Sequence, residues 1–319
     1  MQIMKPASKS TPESRGIPVV GRFSLKDHAA YQRWRDEKLS SYPVDAADLL
    51  VEIENPFALT AAEKAAIVAR CAKTNMVIYQ LKHPNGDPAD KAQVKKLGEQ
   101  LGLRHLDSNL CADNDSISSL KVVPGGQHHT YIPYSNHKIS WHTDGYYNTP
   151  DQQIRGMLLH CVHPAARGGA NALLDPEMAY IHLRETNPDY IYALMHAQAM
   201  TIPANDVQGE VIRAAQSGPV FSVSETGHLH MRYTARTRSI EWQDDELTRA
   251  ATNCLSAFLH SDADCIFRHK LEAAQGLICN NVLHNRSAFE DEGEPRLLYR
   301  ARYFDRIVDE KPGAGNPES

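Results

Sequence analysis

The sequence predicts a mainly β fold with flanking helices, built as a barrel or double-sheet jelly roll. Three observations carry that expectation. Beyond residue 115, short β-type runs follow one another, with turn residues between them. The regular strand–helix–strand alternation of a parallel sheet is missing. Helix starts are confined to a few places, two of them a capping residue followed by proline, Asp175-Pro176 and Asn187-Pro188.

Composition narrows the function classes. The 319 residues are 42% hydrophobic, enough for one large core, and Lys+Arg 34 against Asp+Glu 39 gives a net charge of −5. That balance offers no basic field for nucleic acid and no polybasic membrane anchor. No apolar run reaches the length of a signal peptide or a membrane span, so a cytoplasmic protein is expected. The six cysteines, Cys71, Cys111, Cys161, Cys254, Cys265 and Cys279, form no CxxC pair and read as reduced thiols. A homo-oligomer is left open.

The elements follow in order. Residues 1–20 and 306–319 are polar and rich in Gly and Pro, and are expected to be flexible ends around one domain over 21–305. An α/β segment is expected over 45–110. Within it Thr60-Ala61-Ala62-Glu63 is a capping box that opens a helix over 60–73, with Ile67, Val68 and Cys71 on its stripe. Met76–Leu81 reads as a strand, stopped by Pro84-Asn85-Gly86-Asp87-Pro88, and a second helix is expected over 89–101. The jelly-roll core is expected over 115–305. Its strand candidates are Leu120–Val123, Lys138–His142, Ile154–Val162, Ala170–Leu174, Pro219–Val223, His228–Tyr233, Cys265–Leu271, Leu277–Leu283 and Leu297–Phe304. The two Pro-started helices and one over 242–259, striped by Leu247, Ala251, Leu255 and Phe258, lie outside it.

A metal site is suggested by Trp141-His142-Thr143-Asp144-Gly145-Tyr146-Tyr147. On a strand, side chains two residues apart share a face, so His142 and Asp144 are expected to project together. Two other His-x-Asp matches, His105-Leu106-Asp107 and His260-Ser261-Asp262, lack a strand setting, and His260 ends a helix. A distant partner comes from Asn280-Asn281-Val282-Leu283-His284-Asn285-Arg286. One further His would complete a 2-His-1-carboxylate set, which suits Fe(II) and leaves positions open for co-substrate and dioxygen. Arg296 and Arg300 follow in a β-type run, where a guanidinium can grip the far carboxylate of an oxo-acid in bidentate fashion.

Taken together, Trp141-His142-Thr143-Asp144, Met157-Leu158-Leu159-His160-Cys161 leading to Gly168-Gly169, Leu283-His284-Asn285-Arg286-Ser287-Ala288-Phe289 and Arg296-Leu297-Leu298-Tyr299-Arg300 resemble a known family. It is the taurine dioxygenase-like superfamily of Fe(II)- and 2-oxoglutarate-dependent oxygenases, with its γ-butyrobetaine hydroxylase and clavaminate synthase branches. The resemblance covers 50–305 and implies a double-stranded β-helix, that is, a jelly-roll core. It implies His142, Asp144 and His284 as iron ligands, Arg296 as the 2-oxoglutarate anchor, and Arg300 as a second anchor or substrate contact. Where taurine dioxygenase has Thr after the Gly-Gly pair, this chain has Ala170-Asn171, which leaves Asn171 to contribute its amide. Where γ-butyrobetaine hydroxylase has an aromatic after the Asp, this chain has Gly145. The implied reaction consumes dioxygen and 2-oxoglutarate, releases succinate and carbon dioxide, and hydroxylates an unactivated C–H of a small polar or charged molecule. Desaturation or cleavage can begin with the same hydrogen abstraction. Halogenases of this kind replace the carboxylate with a small residue, so Asp144 favours hydroxylation.

Other readings stand beside these. The same three side chains could hold Zn²⁺ in a hydrolase, or belong to a non-catalytic metal-binding jelly roll. His284 could be a core imidazole, and Arg296 and Arg300 a surface ladder with Glu290, Asp291, Glu292 and Glu294. Tyr131, Tyr134, Tyr146 and Tyr147 are candidates for a substrate cleft or for simple packing. His128 and His129 read as loop residues, and Arg232, Arg236 and Arg238 as a solvated basic edge.

Overall fold

The computed structural model describes residues 21–82, 90–108, 113, 115–122, 132–207, 210–236 and 240–308. In chain order the elements are α1 His28–Leu39, β1 Leu50–Ile53, α2 Ala61–Thr74, β2 Met76–Leu81, α3 Lys91–Gln100, β3 Ser118–Leu120, β4 Ile139–His142, β5 Gly156–His163, β6 Arg167–Gly168 and β7 Asn171–Leu174. There follow α4 Pro176–Thr186, α5 Pro188–Leu194, β8 Met200–Ile202, β9 Asn205–Val207, β10 Glu210–Arg213, β11 Gln216–Gly218, β12 Phe221–Val223, β13 Leu229–Met231 and β14 Glu241–Trp242. The chain closes with α6 Glu246–Leu259, β15 Ile266–His269, β16 Gln275–Cys279, β17 Leu283–Arg286, β18 Phe289–Glu290 and β19 Leu297–Tyr303.

Local chemistry explains the predicted helices. In α2 the Thr60 hydroxyl accepts from Glu63 N at 3.2 Å while the Glu63 carboxylate accepts from Thr60 N at 2.7 Å, the two halves of a capping box. The helix ends at Asn75 in the left-handed region, φ 58°, with its N–H returned to Cys71 O. Asp175 and Asn187 cap α4 and α5, each followed by Pro in the first turn.

Two sheets face each other. The larger has the order β1-β2-β16-β5-β19-β3 and the smaller β15-β7-β17-β4. Between them pack Leu159, Leu277 and Leu298 from the larger sheet and Leu173 and Phe267 from the smaller. Helices α2 and α3 cover the outer face of the larger sheet, placing Ile67, Cys71, Val94 and Leu97 against Val77, Leu158 and Ile278. On the outer face of the smaller sheet, Trp34, Tyr180, Leu255 and Leu259 of α1, α4 and α6 pack against Trp141, Leu174, Ile266 and Leu283. The larger sheet is thus buried on both sides, which is why β2 and β5 read as nearly continuous apolar runs. Each fully buried aliphatic such as Ile278 contributes about 1.5–3 kcal/mol. This layering is the jelly roll with outer helices that the sequence predicts.

The sequence reading did not contain α1 or the strands over 200–218. It also took Leu277–Leu283 as one strand. The structure breaks that run at Asn281, φ 52°, and pairs β16 with the larger sheet and β17 with the smaller. Ordered packing continues past β19 through Ile307, whose N–H donates to Asn280 Oδ1 at 2.9 Å. Residues 1–20 and 309–319 lie outside the described residues. Among the described residues no helix is long and apolar enough to cross a membrane.

Candidate active site

The site forms on the inner face of the smaller sheet. In β4 Trp141 turns outward to the helices, so by strand alternation His142 turns inward. In β17 Leu283 goes outward and His284 inward. The two histidines are register partners in the β4–β17 pair, with ring centroids 4.2 Å apart and tilted by 49°. Asp144 departs from the expected geometry: β4 ends at His142, and Asp144 begins a turn rather than sharing a strand face. Its backbone is held instead by the Asn281 side chain. Asp144 N donates to Asn281 Oδ1 at 2.8 Å, and Asn281 Nδ2 donates to Asp144 O at 2.9 Å and to Ile154 O at 2.7 Å. Gly145, φ 66°, completes the bend, and a Cβ there would lie 2.5 Å from Ile154 Cγ1.

One nitrogen or oxygen from each of His142, Asp144 and His284 lies within 4.8 Å of the others. His142 Nδ1 lies 2.9 Å from Ser140 O and His284 Nδ1 2.9 Å from Val282 O. A carbonyl only accepts, so each Nδ1 carries the proton and each Nε2 keeps its lone pair, the arrangement that orients metal-binding imidazoles. Burial, with His142 beside it, pushes the His284 imidazole down to about 4. Burial would raise the Asp144 carboxyl, but Arg300, then His142 and Arg302, hold it well below the usual carboxylate range. Asp144 Oδ2 is buried without a hydrogen-bond partner among the described residues, and Arg300 Nη1 stands 3.4 Å away. Two imidazole lone pairs and an anionic carboxylate with an unsatisfied oxygen fit a hard or borderline divalent cation such as Fe(II).

Arg296 lies just before β19, 5% exposed, with its guanidinium 5.0 Å from the Phe289 ring centroid. Among the described residues it has no hydrogen bond or ion pair. Of the alternative acidic ladder, Glu290 and Glu292 pair with Arg167 and Glu294 with His163, while Asp291 lies near enough to Arg296 to favour its charge. A Cβ on Gly169 would come 3.7 Å from Arg296 Nε, so the glycine pair sits beside this guanidinium. Asn171 starts β7 and lines a small cavity with Leu173 and Leu277, while its Nδ2 donates to Asn285 O at 2.9 Å.

The tyrosines divide. Tyr134 is buried in the core between the sheets. Tyr146 stands edge-on to His142, centroids 6.5 Å apart, and to Tyr147 at 5.2 Å. Tyr147 Oη accepts from Arg302 Nη1 at 3.1 Å, and Arg213 lies 5.8 Å from the centroid of its ring. Tyr131, His128, His129, Cys111 and Arg238 fall outside the described residues. Arg232 is not a solvated edge residue: it is 8% exposed and donates to the carbonyls of Tyr146, Met200 and Gln216. That network ties the strands over 200–218 to the loop after Asp144.

Sequence reasoning missed Asn281, Arg302 and Asp107. Arg302 follows Arg300 at the strand period of two, which was the available signal. Its ion pair is with Asp107, half of a rejected His-x-Asp match. The His105 ring in that match turns away to Asp305, and His260 Nδ1 bonds Ser256 O at the end of α6.

A profile of the taurine catabolism dioxygenase TauD, TfdA family matches residues 84–302. A uridine-5'-phosphate dioxygenase of Amycolatopsis sp is 31% identical over 186 residues, which is 55% of this chain and 62% of that one. The match therefore spans less than two thirds of that relative. A second uridine-5'-phosphate dioxygenase, of Streptomyces sp, is 28% identical over 199 residues, covering 59% of this chain and 69% of its own. Among solved structures, a taurine dioxygenase from Burkholderia xenovorans superposes with a TM-score of 0.53 at 17% identity, over 82% of this chain and 86% of that one, which supports the jelly-roll fold. With its profile match over most of the chain, the protein belongs to the taurine catabolism dioxygenase TauD, TfdA family.

Proposed function

We propose that the protein is an Fe(II)- and 2-oxoglutarate-dependent dioxygenase that hydroxylates a C–H of a small polar or charged molecule, with release of succinate and carbon dioxide. The observation that carries this reading is the triad itself, with its ligand atoms mutually within 4.8 Å and both Nδ1 protons tied down. His142, Asp144 and His284 would hold the iron, which when bound supplies the redox chemistry for dioxygen and 2-oxoglutarate. Arg296, buried and in no ion pair among the described residues, would take the distal carboxylate of 2-oxoglutarate. Arg300 keeps Asp144 anionic and ready to ligate. The Asn281 clamp fixes where that carboxylate stands.

For the substrate we infer a small molecule carrying an anionic group. Tyr146 offers an aromatic edge beside His142 with Tyr147 edge-on to it, and the Arg213 guanidinium lies against the Tyr147 ring. The curated relatives' names, which specify a nucleoside phosphate, support the same class. The proposed compartment is the cytoplasm; the described cysteines are free, and burial pushes Cys279 up to about 12, an inert thiol.

The test is anaerobic addition of Fe(II) and then 2-oxoglutarate, read as the weak visible charge-transfer band of the chelate. The band should form with the native chain and vanish in His142→Ala. A Zn²⁺ hydrolase would instead show no band and turn over without dioxygen, and that outcome would end this assignment.

A further inference from the structure

Away from the triad, a cavity of about 350 Å³ opens between the β12–β13 hairpin and the end of β19. Neither the triad nor Arg296 or Arg300 lines it. Its walls bring together Arg155, Arg306, His228, His230, Ser222 and Thr226. The charges there are lopsided. Asp305, the one carboxylate in the lining, is taken up by Arg104 N, His105 N and His105 Nδ1 at 2.6, 2.5 and 2.8 Å. Asp175 and Glu177 lie near Arg306 and favour its charge; both also contact Lys38 Nζ, at 2.6 and 2.5 Å, whose single charge offsets one of the two. Among the described residues, neither Arg155 nor Arg306 has an ion-pair partner. Arg306 Nη2 donates to Asn75 Oδ1 at 2.6 Å, while its Nε is buried with no hydrogen-bond partner. Arg306 is half-buried as a whole, but a buried donor such as its Nε ordinarily finds an acceptor.

Burial, with the neighbouring arginines, pushes both His228 and His230 down to about 4. At neutral pH they therefore add hydrogen bonds rather than more charge. The hairpin wall is preformed, since Ser224 Oγ accepts from His228 N at 3.1 Å and lies 2.9 Å from Thr226 Oγ1. Guanidinium, imidazole and hydroxyl groups arriving from several elements suit a group with many acceptor atoms, such as phosphate.

We propose that this cavity is a second binding site, separate from the iron centre, for the phosphate group of a small molecule. It is joined to the centre by one residue: Arg155 follows Ile154, whose carbonyl accepts from the Asn281 side chain that clamps Asp144.

The test is a titration of the full chain with inorganic phosphate by calorimetry and thermal melting, with and without Fe(II) and 2-oxoglutarate. Phosphate is expected to bind one saturable site and raise Tm in both states. Arg155→Gln and Arg306→Gln should each weaken binding about tenfold or more, the loss of a charge-assisted contact, while Arg300→Gln should bind phosphate as the native chain does. Arg155 is exposed, so its variant decides the matter even if Arg306→Gln fails to fold. Unsaturable binding, native affinity in Arg155→Gln, or loss in Arg300→Gln alone would overturn the site. Acetate binding more tightly than phosphate would overturn the ligand class.

Discussion

His142 and His284 are cross-strand neighbours, paired in register between β4 and β17 with their rings 4.2 Å apart. The two imidazoles of the candidate metal site are therefore placed by a strand pairing, and Asp144 by the turn that follows β4. Replacing either imidazole by Ala is expected to abolish the Fe(II)–2-oxoglutarate band while leaving far-ultraviolet circular dichroism native. A band of native intensity in both variants would remove these residues from the ligand set.

Asn281 holds Asp144 by two hydrogen bonds to its backbone and one to Ile154. Loss of such a supporting residue costs roughly 10–100-fold in metal affinity. Because Asn281 sits at φ 52°, Ala adds backbone strain, so Asn281→Gly is the control. Both variants are expected to weaken Fe(II) binding, measured by titration of the band. Recovery in Asn281→Gly would assign the effect to strain alone.

Arg296→Ala should raise the 2-oxoglutarate concentration giving half the maximal band by about 100-fold, since two charge-assisted hydrogen bonds are worth about 3 kcal/mol or more. Fe(II) affinity before 2-oxoglutarate is added should stay native. Arg296→Lys should recover little, as an ammonium lacks the planar fork. An unchanged 2-oxoglutarate requirement in Arg296→Ala would leave the anchor to another residue.

Asp305 provides a pH test away from the iron. Burial opposes its ionisation, but hydrogen bonds from His105 and Arg104 hold its carboxyl below the ordinary value. A depressed carboxylate stabilises the fold above the unfolded pKa of about 4, and that contribution fades as pH falls through the folded value. In phosphate-free buffer, Asp305→Asn should unfold at lower urea than the native chain at pH 7. The gap should narrow as pH drops below about 4. A gap that is constant across this range would point to a steric cause.

Much of the fold was legible because its signals are local. The Thr60–Glu63 box and the Asp175-Pro176 and Asn187-Pro188 starts announce their helices within four residues. The tract through Asn281 was not legible, because a left-handed Asn that serves a clamp to Asp144 looks like any polar residue in a strand. In α1 the buried Tyr31, Trp34 and Lys38 are diluted by charged neighbours, leaving little amphipathic contrast. The strands over 200–218 are short, and Arg232, which ties them to the site, declares its burial only through three carbonyls. The triad residues could be singled out by motif. The role of Arg302 could not, because its partner Asp107 is distant in the chain and comes close only once β19 is in place.

The β4–β17 register has a thermodynamic reach beyond catalysis. A slip of one residue in this pairing would turn the imidazole of the shifted strand from the interior toward the helices, so the misregistered chain presents no comparable set of ligands. A cation held by His142, Asp144 and His284 would act as a rivet between two distant stretches of chain and would favour the correct pairing over its neighbours. Metal supplied while the chain folds would then raise the yield of the correctly paired state.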